Sequence, residues 1–482
     1  MTVPIVPGFH PDPSICRVGD TYYLANSSFE YVPGVPIRRS TDLVSWELVG
    51  HALTRPSQLP PSEGAANTGV FAPTLRHHDG RFHLVTTNIL EAHRGHLIVT
   101  AEDPAGPWSD PVHVPGTDGI DPDLCWDDAG GCHLTWASFR PERPGITSVP
   151  IDPATGAMLA EPRPLWNGTG LAAPEGPHLY RVDGWWYLLL AEGGTERGHV
   201  VTIARARALE GPYEPAPTNP ILTHRSTTHP VQNTGHADLV ECADGSWALV
   251  YLGVRPRGKT PRFHVNGRET FLAGVDWVDG WPVVIEDRHR VAPEDHSFTD
   301  EFTSAQLHPR WVAPGAAPVT RWTGPGELVL TRTLLTRALD EYWTAVARLD
   351  VSSGTARFVV RIDGKHWYGL TADGSTITAT LAIGPARDVV TTVAAGPVVA
   401  LRIRALRPPA SGPFREVTEP DLVELSVLGE DDQVLGAFDG RYLSTEVAAG
   451  FTGRMIGVEV LDGSVTLHEF RYSTDREEPP RH

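Results

Sequence analysis

Cysteine is nearly missing from this sequence: four thiols in 482 residues, at Cys16, Cys125, Cys132 and Cys242. So few and so scattered, they exclude a disulfide framework and read as reduced, buried thiols. Basic charge is scarce as well, with 40 Lys and Arg against 59 Asp and Glu and a formal charge of −19. That balance argues against nucleic acid or an anionic membrane as partner. No apolar run reaches eighteen residues, so no helical membrane span is expected. The start, MTVPIVPGFHPDPS, lacks a basic stretch followed by an apolar one. No secretory signal is read there, and the expected location is cytoplasmic. Amphipathic helical periodicity is almost absent, which points away from helical folds.

What is present is a rhythm of short runs rich in Val, Ile, Leu, Tyr and Trp, broken by Gly, Pro, Asp and Asn. This is the pattern of an all-β protein. One unit recurs, as GDTYYLANSS, DGRFHLVTTN, GGCHLTWAS, DGWWYLLLAEG and DGSWALVYLG. Its equivalent positions are Tyr22, Phe82, Cys132, Trp186 and Trp247, about 50 to 60 residues apart. Each interval holds four antiparallel strands, and five units predict a five-bladed β-propeller. The expected boundaries are 1–294 for the propeller and 298–476 for a β-sandwich of jelly-roll type. Strands of the second region are read in ELVLTR, ARFVVRID, WYGLTA, TITATLAI and VVALRIRAL. LRPPASGPFREVTEPD reads as a long polar loop and STDREEPPRH as a frayed tail.

Ten or eleven residues before each repeat position lies a matching site, occupied by Asp12, Ala72, Asp121, Glu175 and His236. In a propeller, equivalent points on the innermost strands converge on the central axis. Three carboxylates and a histidine are therefore expected at one end of the channel. Buried carboxylates are costly unless partnered or functional. Other chemistries find less support. His77 and His78 are neighbours on a strand and point apart, which disfavours a joint metal site. No G-x-S-x-G elbow is present. Gly168–Ala173 fits G-x-G-x-x-A, but Pro174-Glu175-Gly176-Pro177 follows where a helix should begin. Converging carboxylates suit glycoside hydrolysis, in which one acid protonates the leaving oxygen and another activates water or attacks the sugar. A third can raise the acid's pKa by like-charge proximity. The repeat does not say which carboxylate plays which role. The alternatives are a non-catalytic carbohydrate-binding propeller and a propeller interaction scaffold; the complete set of acids favours the enzyme.

At these residues the sequence resembles glycoside hydrolase family 43, of the β-xylosidase and α-L-arabinofuranosidase type. PIVPGFHPDPSICRVGD, GVFAPTLRHHDGRFHLVTTN, GIDPDLCWDD, APEGPHLYRVDGWWYLLLAEGGT, NTGHADLV and NGRETFLAGVDWVDGWPVV carry the resemblance. It continues through DEYWTAVARL, KHWYGL and AAGFTGRMIGVEV in the second region. The resemblance implies a five-bladed propeller with an appended sandwich, and hydrolysis with inversion. It implies that Asp12 is the general base, Glu175 the general acid, and Asp121 the carboxylate that tunes and orients the acid. Asp123 is a lesser candidate. Arg268 is implied to bind sugar hydroxyls and the acidic centre, and Phe29, Phe71 and Phe139 to line the sugar pocket. His236 is implied to lie beneath the sugar, a position that ligates calcium or a water cluster in many relatives. No cofactor is required for the chemistry, and a structural calcium at His236 is the one metal expectation. The expected partner is an oligosaccharide bearing terminal xylosyl or arabinofuranosyl units, attacked from its non-reducing end with a loop of the second region closing the pocket. Phe71 and Phe139 stand where xyloside-active relatives often carry Trp, which leaves the preferred sugar open. The sandwich also offers a surface for homo-oligomer formation.

Overall fold

The computed structural model describes residues 3–258, 260–408 and 420–475. Most of the long polar loop and of the tail read from the sequence lies outside these residues. Among the described residues the helices are Ile89–Arg94, Gly440–Leu443 and Thr445–Ala448, and the rest of the regular structure is strand. No described helix is long and apolar enough to cross a membrane.

The first region is five antiparallel sheets in chain order. Sheet one is Ser14–Val18, Thr21–Ala25, Gly34–Ser40 and Glu47–Leu53. Sheet two is Thr74–His78, Arg81–Thr86, His96–Ala101 and Val112–Val114. Sheet three is Ile120–Trp126, Cys132–Ser138, Gly145–Asp152 and Ala157–Met158, with Arg163–Trp166 added to its third strand. Sheet four is Glu175–Val182, Trp185–Glu192, Val200–Ala206 and Glu214–Pro215. Sheet five is Gln232–Glu241, Trp247–Val254, Glu269–Val278 and Trp281–Ile285. The local cause is turn chemistry. Asp79-Gly80, Asp183-Gly184 and Asp279-Gly280 each put two successive residues at positive φ, which makes the two-residue hairpins that match strand twist.

The first strand of each sheet touches the first strand of the next, and that of sheet five returns to sheet one, so the five form a ring. The N-terminal segment ties the ring shut. The amides of Ile5 and Val6 donate to the Thr270 carbonyl at 2.9 and 3.2 Å, and the Thr270 amide donates to Val6 at 3.1 Å. Apolar clusters fill the spaces between neighbouring sheets, as between sheets four and five, where Leu189, Ile203, Leu249 and Phe271 are fully buried. Each such side chain contributes roughly 1.5–3 kcal/mol relative to exposure. All four cysteines are buried and free.

The second region is two antiparallel sheets, one built around Trp343–Asp350, Val398–Leu406 and Val465–Thr474, the other around Gly354–Arg361, His366–Ala372 and Met455–Gly463. Val399, Leu401, Ile403 and Ala405 alternate inward along one strand, as a half-buried strand requires. They meet Phe358, Val360, Leu370 and Ile456 in one shared core.

The two regions share a further apolar cluster. Phe9, Phe29 and Tyr31, from the segments before and within sheet one's chain stretch but outside its strands, pack with Leu335, Val359, Trp367 and Met455 from the second region. Tyr31–Val32 also pairs with Ala313–Pro314 as a two-stranded ribbon across the seam. Arg337 donates to the Phe9 carbonyl at 2.8 Å. This seam runs directly to the axial residues.

Candidate active site

The first strands bring one backbone position from each sheet to one end of the axis. Strand register makes Asp12, Ala72, Asp121, Gly176 and His236 equivalent. Each lies three residues before Ile15, Leu75, Leu124, Leu179 or Leu239, which pair with Leu24, Leu84, Leu134, Leu188 and Leu249. Spacing in the sequence put Glu175 in this set; the register puts Gly176 there and Glu175 one residue earlier. The physical reason is His236. A Cβ on Gly176 would lie 2.9 Å from His236 Nε2, so the imidazole already occupies that space. The carboxylate enters instead from the first residue of the strand, where a register shift between Glu175 and His178 marks a bulge. Asp12, Asp121 and His236 sit at φ of 52, 58 and 44°, a left-handed conformation that such residues hold only when packing dictates it.

Asp12 is 4% exposed. The Ser27 hydroxyl donates to its Oδ2 at 2.5 Å and Arg268 Nη1 to its Oδ1 at 3.0 Å. His236 Nδ1 stands 3.5 Å from Oδ1. Burial pushes this carboxyl up, but Arg268, His236 and the Ser27 hydrogen bond together outweigh it and hold Asp12 below the usual range. Glu175 behaves oppositely. Burial, then the negative charge of Asp12, push it up to about 7, with Arg268 only partly opposing. Burial and the charges of Glu175 and Asp12 also drive Asp121 well above its ordinary value, although the Gly176 amide donates to it at 3.2 Å. At neutral pH the centre therefore holds an ionised Asp12 and a proton available to the Asp121–Glu175 pair. Two carboxylates with opposed environments are the arrangement that acid and base catalysis needs.

An aromatic wall stands beside this centre. Phe29 packs on Phe71 at 5.1 Å and on Phe451 at 5.4 Å between ring centroids. The Arg268 guanidinium lies 5.5 and 5.6 Å from the Phe29 and Phe451 centroids. Phe451 belongs to the second region, and its loop is seated on the ring by backbone contact. A Cβ on Gly453 would fall 2.2 Å from the Asn266 carbonyl, so only glycine allows this approach. The Arg454 amide donates to Val265 at 3.1 Å, and the Phe451 amide donates to Asn67 Oδ1 at 2.8 Å. Phe139 is the exception among the three expected aromatics. It is 63% exposed on the loop after Cys132–Ser138, and it is not part of this wall.

Sequence reasoning missed Ser27, Thr195, His199 and Phe451. Arg268 Nη1 donates to Thr195 Oγ1 at 3.0 Å. His199 donates its Nδ1 proton to the Asn233 carbonyl at 3.0 Å, and burial lowers it to about 3, so it is neutral with its Nε2 buried and unpartnered. Thr195, His199 and Phe451 lie outside the repeat, and Ser27, within its first copy, has no serine at the equivalent place in the others. The one available signal was the AAGFTGRM stretch, whose paired glycines mark a close approach.

Two residues further along the first strands lies a second axial layer, Ser14, Thr74, Asp123, His178 and Asp238. Asp123, a lesser candidate for the tuning carboxylate, belongs here. Arg76 pairs with Asp123 at 2.9 Å and with Asp238 at 2.8 Å. Ser14 and Tyr180 hydroxyls donate to Asp238 at 2.7 and 2.5 Å. These acids are neutralised in place.

Residues 1–282 match the family model described as glycosyl hydrolases family 43. The chain belongs to family 43. Along 94% of its length this family 43 hydrolase is 36% identical to a non-reducing end alpha-L-arabinofuranosidase of Bacteroides ovatus, covering 90% of that protein. It is 44% identical to a xylosidase/arabinosidase of Butyrivibrio fibrisolvens over 62% of this chain and 60% of that one. Its fold superimposes on a xylan beta-1,4-xylosidase from Bacillus halodurans with a TM-score of 0.86, 28% identity, and coverage of 98% and 100%.

The residues around His236 in this family 43 hydrolase do not make a calcium cage. Calcium takes six to eight oxygens. The adjacent carboxylate, Asp12, already receives Arg268 and Ser27, and Arg76 brings a fixed positive charge to the layer beneath. Among the described residues, no group of three metal-ligating side chains includes His236. Burial lowers His236 to about 4 despite Asp12, which leaves a neutral imidazole beside the base.

Proposed function

We propose that this hydrolase removes single xylosyl or arabinofuranosyl units from the non-reducing ends of xylo-oligosaccharides or arabinoxylan fragments, with inversion at the anomeric carbon. Its five sheets act as the blades of a β-propeller spanning 1–294, and the region 298–476 is a sandwich that supplies one wall of the pocket. The observation that carries this is the opposed environment of Asp12 and Glu175 at one end of the axis, with Asp121 beside them.

Asp12 is the general base. Arg268 and Ser27 keep it ionised and fix its carboxyl plane, so that it can take a proton from water. Glu175 is the general acid and delivers its proton to the glycosidic oxygen. Asp121, itself raised by burial and by the charge of Glu175, shares that proton with the acid. After turnover Asp12 loses its proton to solvent and Glu175 regains one. Arg268, held by Thr195 and the aromatic rings, orients sugar hydroxyls. Phe29, Phe71 and Phe451 present flat apolar faces to a sugar ring. The Phe451 loop walls one side, which favours a terminal unit over an internal one. The names of the relatives, an arabinofuranosidase and a xylosidase/arabinosidase, support the same pair of sugars.

The test is release of p-nitrophenol from the β-xyloside and the α-L-arabinofuranoside, with proton NMR of the first-formed sugar. The expected product is the inverted anomer, with activity abolished in Glu175→Ala and Asp12→Ala. A retained anomer would refute inversion, and full activity in either variant would refute its role.

A further inference from the structure

We infer that His224, His229 and Glu286 form a divalent transition-metal site of the zinc type, which clamps the connection between sheets four and five to the outer strand of sheet five. His224 and His229 lie on the connection before Gln232–Glu241, and Glu286 directly follows Trp281–Ile285. One donor atom from each lies within 4.8 Å of the others. This cluster is at the rim of the ring, and neither the axial acids nor the aromatic wall uses it.

The orientation of the His224 imidazole carries the inference. His224 Nδ1 lies 2.8 Å from the Val231 carbonyl; His229 Nδ1 lies 3.1 Å from the same oxygen and 3.2 Å from the Val231 amide, which donates to it in the other tautomer. A ring that donates Nδ1–H to a backbone carbonyl presents Nε2 as a lone pair, which is the outer-shell arrangement of metal-ligating histidines. His224 is 5% exposed, and its Nε2 stands 2.7 Å from Glu286 Oε2. A neutral imidazole cannot satisfy both contacts, because its Nε2 lone pair would then face a carboxylate lone pair. A cation between them resolves the conflict: a second proton, or a metal ion that displaces it. The two imidazole centroids are 3.8 Å apart with the rings tilted by 41°, so protonating both would set like charges side by side. A single divalent ion serves both rings at once.

Two imidazoles and one carboxylate are a three-residue zinc set that leaves a fourth position for water. Zinc bonds of about 2.0–2.2 Å place donors roughly 3.3–3.6 Å apart in a tetrahedron. To hold the ion, His224 Nε2 and Glu286 Oε2, now 2.7 Å apart, would part by that difference, and the half-buried His229 would move inward on its loop.

The test uses chelator-treated full-length protein titrated with Zn²⁺ by calorimetry, and with Co²⁺ by visible absorption. The expected result is one ion per chain, a tetrahedral Co²⁺ spectrum and a Tm that rises with Zn²⁺. His229→Ala and Glu286→Gln should each weaken binding by at least the roughly 10–100-fold that loss of an outer-shell partner costs. Both should keep wild-type glycosidase activity without metal, which shows that they fold. Absence of stoichiometric binding, or binding unchanged in both variants, would overturn the site and leave the glycosidase assignment intact.

Discussion

The two axial layers occupy the same five strands, two residues apart, and treat carboxylates in opposite ways. In the lower layer, Arg76 lies between Asp123 and Asp238, and hydroxyls supply further donors to Asp238. Asp238 is held far below its usual range: burial alone would raise it, but Arg76 and the hydrogen bonds prevail. In the upper layer, three acids share one guanidinium, and that guanidinium contacts Asp12. Asp121 and Glu175 are left to burial and like charge, which raise them. The difference teaches that position on the axis does not make a carboxylate reactive. The supply of positive charge does: compensated acids hold the ring together, and undercompensated ones keep a proton to give.

The largest expected effect comes from removing that proton. Glu175→Gln preserves size and fold but cannot act as an acid, and kcat/KM should fall by about 10²–10⁴. Tm should change little. The lower layer should respond the other way. Arg76→Met leaves Asp123 and Asp238 buried without their cation, at a cost of about 3–5 kcal/mol. Denaturant unfolding should show that loss, while the activity of the remaining folded fraction stays near wild type. A stable Arg76→Met protein with a collapsed kcat would erase the distinction between the layers.

A subtler probe is the alkaline limb of the pH profile. Glu175 is raised to about 7, so activity should be present below that value and decline as pH rises through it. Asp121→Asn removes the carboxyl that shares a proton with Glu175, which makes Glu175 easier to ionise and moves the limb to lower pH. An unshifted limb in kcat/KM would deny Asp121 its tuning role.

The contrast between the layers also explains what the sequence revealed. Asp12, Asp121 and His236 were legible because a repeat fixes their place, and the strands of both regions followed from alternation and turn residues. Glu175 was found, but its register was off by one, because letter spacing cannot show that His236 fills the place of a Gly176 side chain. Arg76 sits inside APTLRHHDG, and nothing in that stretch signals that its side chain reaches two acids of other sheets. Thr195, His199 and Phe451 come from outside the repeat, so no internal comparison could locate them. Phe139 is the converse case: the resemblance implied a pocket aromatic, yet the loop that carries it leaves the ring exposed.

The wall contributed by the second region should matter less than the acids. Phe451 stacks on Phe29 and lies under Arg268. Aromatic pairs of this kind contribute about 0.5–1.5 kcal/mol beyond burial. Phe451→Ala should therefore lower kcat/KM by roughly tenfold on aryl glycosides, mostly through KM. It should also raise the share of cleavage at internal linkages of longer oligosaccharides, because the wall is opened.

The smallest effect should come from Phe139→Ala. An exposed side chain outside the core changes stability by about 0.5 kcal/mol or less. Since Phe139 is absent from the wall around the terminal sugar, kcat/KM on a p-nitrophenyl monosaccharide should stay within about twofold, as a surface change of that size allows. A long oligosaccharide is the sharper substrate, because it extends past the wall toward the exposed loops. If kcat/KM falls on the long substrate and holds on the short one, Phe139 contacts sugars beyond the terminal unit. If it falls equally on both, Phe139 moves into the wall when substrate binds, and the boundary drawn between wall and rim is wrong.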